Sequence, residues 1–366
     1  MYTSDVVDRG EAAPGEAVCV IGPRGEPLGV AHYSSTSQIC LRLLSSQLQP
    51  IDDKFFERRI AAAEAFRRRV VADSDAYRLV HGEADLLPGL VVDRYSDCFT
   101  IQTLDQGMDR AKGTIVDILN RMFAPTAIVE RNDAAVRKHE DLPLQSGVLT
   151  GEVSGPVAIR INELDLEADL LHGQKTGIYL DQRENYLAAA RHAHGRALDC
   201  FTSSGGFALH MARRCDHVEA VDSSESAIRA ATTNRDRNHM TNIDFREADV
   251  FDLLTSYASG RRHFDTVVLD PPAFTKSRSA RAGALRGYKE INRRALQLLG
   301  PGGVLISCSC SHHVSEAALL ELIAEASLET GRTLRILERR TQSQDHPILL
   351  TVPETLYLKC LLFEVV

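Results

Sequence analysis

Residues 196–209 read RALDCFTSSGGFAL. A short apolar run, Ala197 and Leu198, ends in Asp199. Small residues follow, Thr202-Ser203-Ser204-Gly205-Gly206, and then apolar residues recur through Phe207, Leu209, Met211 and Ala212. The pattern predicts a strand, a tight turn and a helix. A turn without side-chain bulk lets a ligand lie against bare backbone at a helix N-terminus. The spacing is not GxGxxG, nor the phosphate loop GxxxxGK followed by Ser or Thr, so the turn alone leaves the ligand open.

Outward from this turn, strands and helices alternate. Strands are predicted at 196–200, 217–221, 243–247, 264–269, 303–309, 332–339 and 356–364, and helices at 206–214, 225–238, 284–299 and 315–330. Upstream, 157–162 alternates like a strand, and GQKTGIYLDQR (173–183) leads into a helix through His194. This order predicts an α/β domain, a parallel sheet with helices on both faces. Ligands in such sheets sit at the carboxyl ends of the strands, where the strand order reverses.

The strand ends carry acids. Asp199 ends the first strand, and Asp222 ends the second, followed by Ser223. A carboxylate there is placed to accept from a ribose diol. Asp249, in EADVF (247–251), is placed to accept from the exocyclic amine of a purine. Each alone also reads as a helix cap or a turn residue, but three in register after a glycine turn are harder to assign to capping alone.

The fourth strand ends in Asp270-Pro271-Pro272-Ala273-Phe274. Two prolines stiffen the backbone, and an aromatic follows within reach of a flat substrate. The carboxylate there can orient a planar amine. The fifth strand ends in Ser307-Cys308-Ser309-Cys310-Ser311. Thiols two residues apart face one side while the strand lasts. Most such cysteines only pack; one beside the Asp-Pro-Pro turn can act as a nucleophile if positive charge lowers its pKa.

Before 157 the chain has a different character. GEAVCVIGPRGEPLGVAHYS (15–34) reads as a hairpin around a Pro-Arg-Gly-Glu-Pro turn, followed by a third run at 38–44. Residues 51–69 read as a helix with Phe55, Phe56, Ile60, Ala63 and Phe66 on its apolar face. Its polar face takes Lys54, Arg58, Arg59, Arg67, Arg68 and Arg69, an arrangement that serves solvation or phosphate contact equally well. Strands at 77–80, 90–93, 98–103 and 127–130 around a helix at 108–123 form an α+β unit.

At 366 residues, 44% hydrophobic and 25% charged, the chain has the composition of a soluble globular protein of two or three domains. No run reaches the length of a membrane helix, and the N-terminus lacks the pattern of a secretory signal. Eight scattered cysteines without a CxxC pair fit free thiols in a cytoplasmic protein, not a disulfide or zinc framework. A net charge of −8 weighs mildly against nucleic-acid binding in bulk, although the arginines cluster.

In order, the motifs DCFTSSGGF (199–207), VDSS (221–224), EADVF (247–251), DPPAF (270–274) and PGGVLISCSCS (301–311) resemble those of class I S-adenosylmethionine-dependent methyltransferases. GQKTGIYLDQREN (173–185), DPPAFTKSRSA (270–280), RGYKEINRRALQLLGPGG (286–303) and QDHPILLTVPETLYLKC (344–360) narrow the resemblance to bacterial 23S rRNA cytosine-C5 methyltransferases of the RlmI type. The likeness covers nearly the whole chain, strongest from about 76 onward. It implies a PUA-like RNA-binding domain over 1–70, an α+β middle domain over 71–165 and a methyltransferase domain with a seven-stranded sheet over 166–366. The stretch YSSTSQICLRLL matches the end of a PUA module, but the usual opening strand with its HPW segment is absent, which implies a shortened module.

The resemblance also implies roles. Phe201, Ser203 and Gly205 line the cofactor loop, Asp222 and Ser223 hold the ribose, and Asp249 and Val250 hold the adenine of S-adenosylmethionine. Gln182 and Arg183 close over the cofactor, and Asp270 sits nearest the transferred methyl and the target base, with Pro271, Pro272 and Phe274 on the substrate side. The family nucleophile stands seven residues after the second glycine of the Gly-Gly pair. From Gly303 that is Cys310 and not Cys308. The chain departs from the pattern in its doubled Ser-Cys-Ser and in His312-His313, where small residues are usual. No metal is implied. The expected partners are 23S rRNA or a large-subunit precursor, with a homodimer as one assembly state and no membrane. Lys276, Arg278, Arg281 and Arg286 join the basic helix as candidate phosphate contacts. The rival readings are a guanine-N7 or other base-nitrogen methyltransferase, which needs no thiol, a non-catalytic RNA-binding protein, and an NAD-dependent oxidoreductase, against which the absent GxGxxG argues.

Overall fold

In the computed structural model, which describes residues 1–274 and 281–366, the chain begins with a three-stranded antiparallel sheet. It comprises β1 (Ala17–Ile21), β2 (Pro27–Tyr33) and β3 (Leu41–Ser45), in that order. Helix α1 (Asp53–Val70) follows, capped by Asp52, whose Oδ1 accepts from the Phe55 amide at 2.9 Å. Phe55, Phe56, Ile60 and Ala63 are buried as the spacing predicts. Arg67 is not on the polar face. It is fully buried, its guanidinium forked onto the Asp85 carboxylate and donating to the carbonyls of Arg78 and Asp345 at 2.8 Å each. Position 67 continues the stripe 56, 60, 63, so the helix turns it inward, where the Asp85 carboxylate neutralises it.

A five-stranded sheet runs in the order β4 (Ala76–His81), β5 (Leu90–Tyr95), β6 (Cys98–Thr103), β7 (Ala127–Asn132), β8 (Gln145–Gly151). Helix α2 (Gln106–Phe123) connects the parallel pair β6 and β7 and, with α1, closes the core on the sheet. A hairpin of β9 (Val157–Ile161) and β10 (Leu164–Ala168) follows.

The rest builds one seven-stranded sheet. Helix α3 (Arg183–His192) precedes β11 (Arg196–Cys200) and α4 (Gly206–Ala212). Then come β12 (His217–Asp222), α5 (Glu225–Arg237), β13 (Ile243–Glu247), α6 (Val250–Ser259) and β14 (Phe264–Leu269). After these follow α7 (Arg281–Leu298), β15 (Leu299–Ser309), α8 (Glu316–Glu329), β16 (Leu334–Arg340) and β17 (Lys359–Val365). The strand order is β13-β12-β11-β14-β15-β17-β16. The first five are parallel, and β17 lies antiparallel between β15 and β16. The order reverses at β11, so the glycine turn leaves the sheet at its switch point. Helix α6 lies outside the sequence reading, although its apolar positions 250, 253, 254 and 257 carry the helical period and are buried. The strands β8 and β10 also lie outside it.

Two compact units divide the chain. One holds Met1–Glu163, Ala168–Leu180 and Gln344–Thr355; the other holds Leu164–Glu167, Asp181–Ser343 and Leu356–Val366. Among the described residues no helix is long and apolar enough to cross a membrane.

Candidate active site

The five parallel strands β11 to β15 present their carboxyl ends along one edge, and the polar residues gather there. The Asp199 side chain on β11 is fully buried. Its Oδ2 accepts from Thr202 Oγ1 at 2.6 Å and from the Ala208 amide at 3.0 Å, while Oδ1 has no partner among the described residues. Burial pushes this carboxyl up to about 7, against the Thr202 bond and with the Asp270 and Asp222 charges adding to the rise. The turn after it is tightly wound. Phe201, Ser203 and Gly205 all have positive φ, at 65°, 50° and 90°. The first two are unusual for non-glycine residues. Asp222, at the end of β12, holds the turn by accepting from the Ser203 amide at 2.9 Å and the Ser224 amide at 3.0 Å.

Ser223 and Asp249 stand exposed on the outer strands of this edge. Asp249 caps α6, its Oδ1 accepting from the amides of Phe251 at 2.8 Å and Asp252 at 3.1 Å. Val250 buries its side chain in the core, so only its backbone is available to a ligand. The cap role and a ligand role are compatible, since the cap uses one carboxylate oxygen.

Asp270 directly follows β14, and its Oδ1 accepts from Gln182 Nε2 at 3.0 Å. Gln182 stands at the N-cap of α3 and in turn accepts from Asn185 Nδ2 at 2.6 Å. Arg183 is buried next to it. Pro271 is buried, Pro272 exposed and Phe274 half-buried. The Phe274 ring packs between Tyr288, at 4.7 Å between centroids, and Phe251, at 5.8 Å. Lys276 and Arg278 lie outside the described residues. Arg281 and Arg286 are exposed on α7.

The two thiols at the end of β15 differ. Cys308 is fully buried, paired across the sheet with Cys360, and both burial and that neighbour push its thiol well up. Cys310, one residue beyond the strand, is half-buried. Near it lies the buried Tyr288, whose hydroxyl is hydrogen-bonded to Ser309 at 3.0 Å and Ser311 at 3.1 Å, and which feels the charges of both Cys310 and Asp270. Asn185, Tyr288 and Lys359 belong to this end of the sheet and escape sequence reasoning. For Lys359 a signal existed: a lone cation in the apolar run LYLKCLLF.

Residues 191–349 match the family described as Methyltransferase domain, and 1–46 match the PUA-like domain family. A SAM-dependent methyltransferase from Streptococcus mutans superposes with a TM-score of 0.82 at 19% identity, over 97% of this chain and 93% of that one. A methyltransferase solved in complex with SAH superposes with a TM-score of 0.83 at 19% identity, over 96% and 92%. The fold is that of a class I SAM-dependent methyltransferase with a PUA-like N-terminal domain. In sequence, the ribosomal RNA large subunit methyltransferase I of Klebsiella pneumoniae (strain 342) is 39% identical, over 96% of this chain and 90% of the relative. That of Shigella dysenteriae serotype 1 is 38% identical over the same shares. The chain belongs to the ribosomal RNA large subunit methyltransferase I family.

Proposed function

We propose that this chain transfers a methyl group from S-adenosylmethionine to carbon 5 of a cytosine in large-subunit ribosomal RNA, through a transient bond between Cys310 and carbon 6 of the base. The carrying observation is that a half-buried thiol and a carboxylate, Cys310 and Asp270, both follow the carboxyl ends of the adjacent parallel strands β15 and β14, Cys310 two residues beyond the position level with Asp270.

The residues suit the cofactor. The unpartnered Asp199 Oδ1 offers a buried acceptor to an ammonium or amide donor. Asp222 faces the position of a ribose diol, and Asp249 with the Val250 amide suits an adenine edge. Gly205 lets the turn adopt its left-handed φ and pack tightly on Ala231, Leu209 and Phe245, which suits a backbone cradle between them. When bound, S-adenosylmethionine supplies an electrophilic methyl on a sulfonium and leaves as a neutral thioether.

Carbon 5 of cytosine is a poor nucleophile. The Cys310 thiolate forms a bond to carbon 6, and the π pair moves to carbon 5, which takes the methyl. Loss of the carbon 5 proton to a base returns the pair to the ring and breaks the carbon–sulfur bond. Asp270, fixed by Gln182, accepts from the exocyclic amine of the base, and a proton shared between its other oxygen and the ring nitrogen stabilises the negative charge that develops there. The stiff Pro271-Pro272 turn and the Phe274 ring border the place of the base, which must be unpaired or flipped out to enter. Exposed Lys54, Arg58, Arg68, Arg69, Arg281 and Arg286 supply phosphate contacts.

The test gives the purified protein methyl-labelled S-adenosylmethionine and unmodified 23S rRNA. Label in 5-methylcytosine is expected. Label on a purine, or on a nitrogen, overturns the proposal in favour of the thiol-independent base-nitrogen reaction.

A further inference from the structure

Lys359 opens β17 with its side chain buried, 6% exposed. Its partner across the sheet is Ser309, one residue before Cys310. Its Nζ donates to the carbonyl of Ser311 at 2.7 Å and to that of Tyr357 at 2.9 Å. Both acceptors are neutral, and among the described residues no carboxylate lies within ion-pair distance of Nζ. A buried ammonium is costly unless a negative charge compensates it. The Ser311 carbonyl belongs to the residue after Cys310, so this bond anchors the ammonium on the segment that carries the thiol, where the two charges act on each other.

Described groups reach this pair from several elements. Tyr288 reaches in from α7, Asp270 from the end of β14, and Glu316 from α8. Cys308 and Cys360 lie one step inward on β15 and β17. The His312 ring packs on Tyr357 at 5.8 Å. Burial draws Lys359 down to about 8, while Cys310 and then Glu316 act to raise it. The ammonium is therefore the majority form at neutral pH and is lost above about 8.

We propose that Lys359 is the positioning residue for the nucleophile: its ammonium, locked between the carbonyls of Ser311 and Tyr357, is the counter-charge that lets Cys310 stand as a thiolate. The S–H bond breaks with its proton going to solvent, and the ammonium keeps its own. This inference rests on Cys310 being the nucleophile, and it deepens that reading by naming what activates the thiol. The phenol of Tyr288 cannot serve, since it stays neutral, and Asp270 disfavours a thiolate.

The experiment alkylates the full-length protein with iodoacetamide between pH 5.5 and 9.5 and follows Cys310 alone by peptide mass spectrometry. Wild type, Lys359→Met and Lys359→Arg are compared, with thermal melting and methyl-donor affinity as folding controls. In wild type the midpoint of the Cys310 rate profile falls clearly below the free-thiol value of about 8.5. In K359M the midpoint rises by about one and the rate at pH 7 falls about tenfold, as expected for one nearby opposite charge. K359R keeps the midpoint near wild type. A wild-type midpoint at or above the free-thiol value overturns the inference even if K359M fails to fold. Equal midpoints in folded wild type and K359M overturn it too, as does K359R behaving like K359M. Alkylation is read without rRNA, so label on another base would count against the proposed reaction and leave this result standing.

Discussion

Gln182 donates its amide to Asp270 across 88 residues of sequence, and the donor is itself held. Its carbonyl accepts from Asn185 at 2.6 Å, and Asn185 Oδ1 accepts from Arg340 Nε at 2.9 Å. The orientation of the Gln182 amide is thereby fixed, and with it the direction in which the second Asp270 oxygen points. Replacing Gln182 by Leu removes the last link and leaves α3 in place. We expect kcat/KM for rRNA methylation to fall about tenfold to a hundredfold, the range for lost outer-shell support of a functional group. A melting temperature close to wild type accompanies that loss. Unchanged kinetics would mean that Asp270 needs no such support.

Cys310→Ala is expected to abolish turnover. Cys308→Ala removes one buried sulfur from the sheet, costs about 1 kcal/mol of stability and leaves kcat within about threefold. Single-turnover assays on both variants decide the assignment, and the reverse pattern moves the nucleophile to Cys308.

Asp222 holds the Ser203 amide and is the proposed acceptor for the ribose. Asp222→Ala is expected to weaken methyl-donor binding about tenfold to a hundredfold, or about 1.4 to 2.8 kcal/mol. Titration calorimetry with S-adenosylhomocysteine measures it directly. A dissociation constant within twofold of wild type would remove Asp222 from the cofactor site.

Asp199 makes the methyltransferase unit pH-sensitive. Its folded pKa of about 7 lies above the ordinary 3.8. A raised pKa contributes stability that is complete below about 4 and is lost as pH climbs through 7. Asp199→Asn keeps an acceptor for Ala208 and cannot ionise. Between pH 5 and 8 the wild type should therefore lose several degrees of melting temperature relative to D199N, at about 1.4 kcal/mol per pKa unit. A gap constant with pH contradicts the assignment.

Arg67 and its neighbours on α1 separate under mutation. Arg67→Ala strands the buried Asp85 carboxylate and should cost about 3 to 5 kcal/mol. The exposed pair Arg58→Gln and Arg69→Gln should leave stability unchanged. If both contact phosphates, the slope of log affinity for rRNA against log salt drops by about two. Filter binding at several salt concentrations tests this, and an unchanged slope removes α1 from the RNA surface.

The strand-end residues were legible because each follows its own strand in a local pattern. Asp199, Asp222, Asp270 and Cys310 need only the order of a parallel sheet to fall along one edge. Arg67 shows where local pattern fails. Its phase on α1 points inward and its charge points outward, and the conflict is resolved by Asp85 and Asp345, 18 and 278 residues away. Lys359 and Tyr288 were opaque for the same reason, since the groups that give them meaning arrive from other strands and helices. Asp249 was legible as an acid just past the third strand, yet its cap bonds need α6, which lies outside the sequence reading.

β17 lies between β15 and β16 although it follows both in sequence. During synthesis, β16 emerges with no neighbour to pair with and must wait for a strand that leaves the ribosome later. Lys359 rides on that same strand. On the proposed role of Lys359, the cation reaches Cys310 only when the sheet closes, and the thiol keeps its ordinary, less reactive state while the chain is still being made. Long-range closure of this kind folds slowly, and the ordering would keep a reactive sulfur from forming stray adducts during that delay.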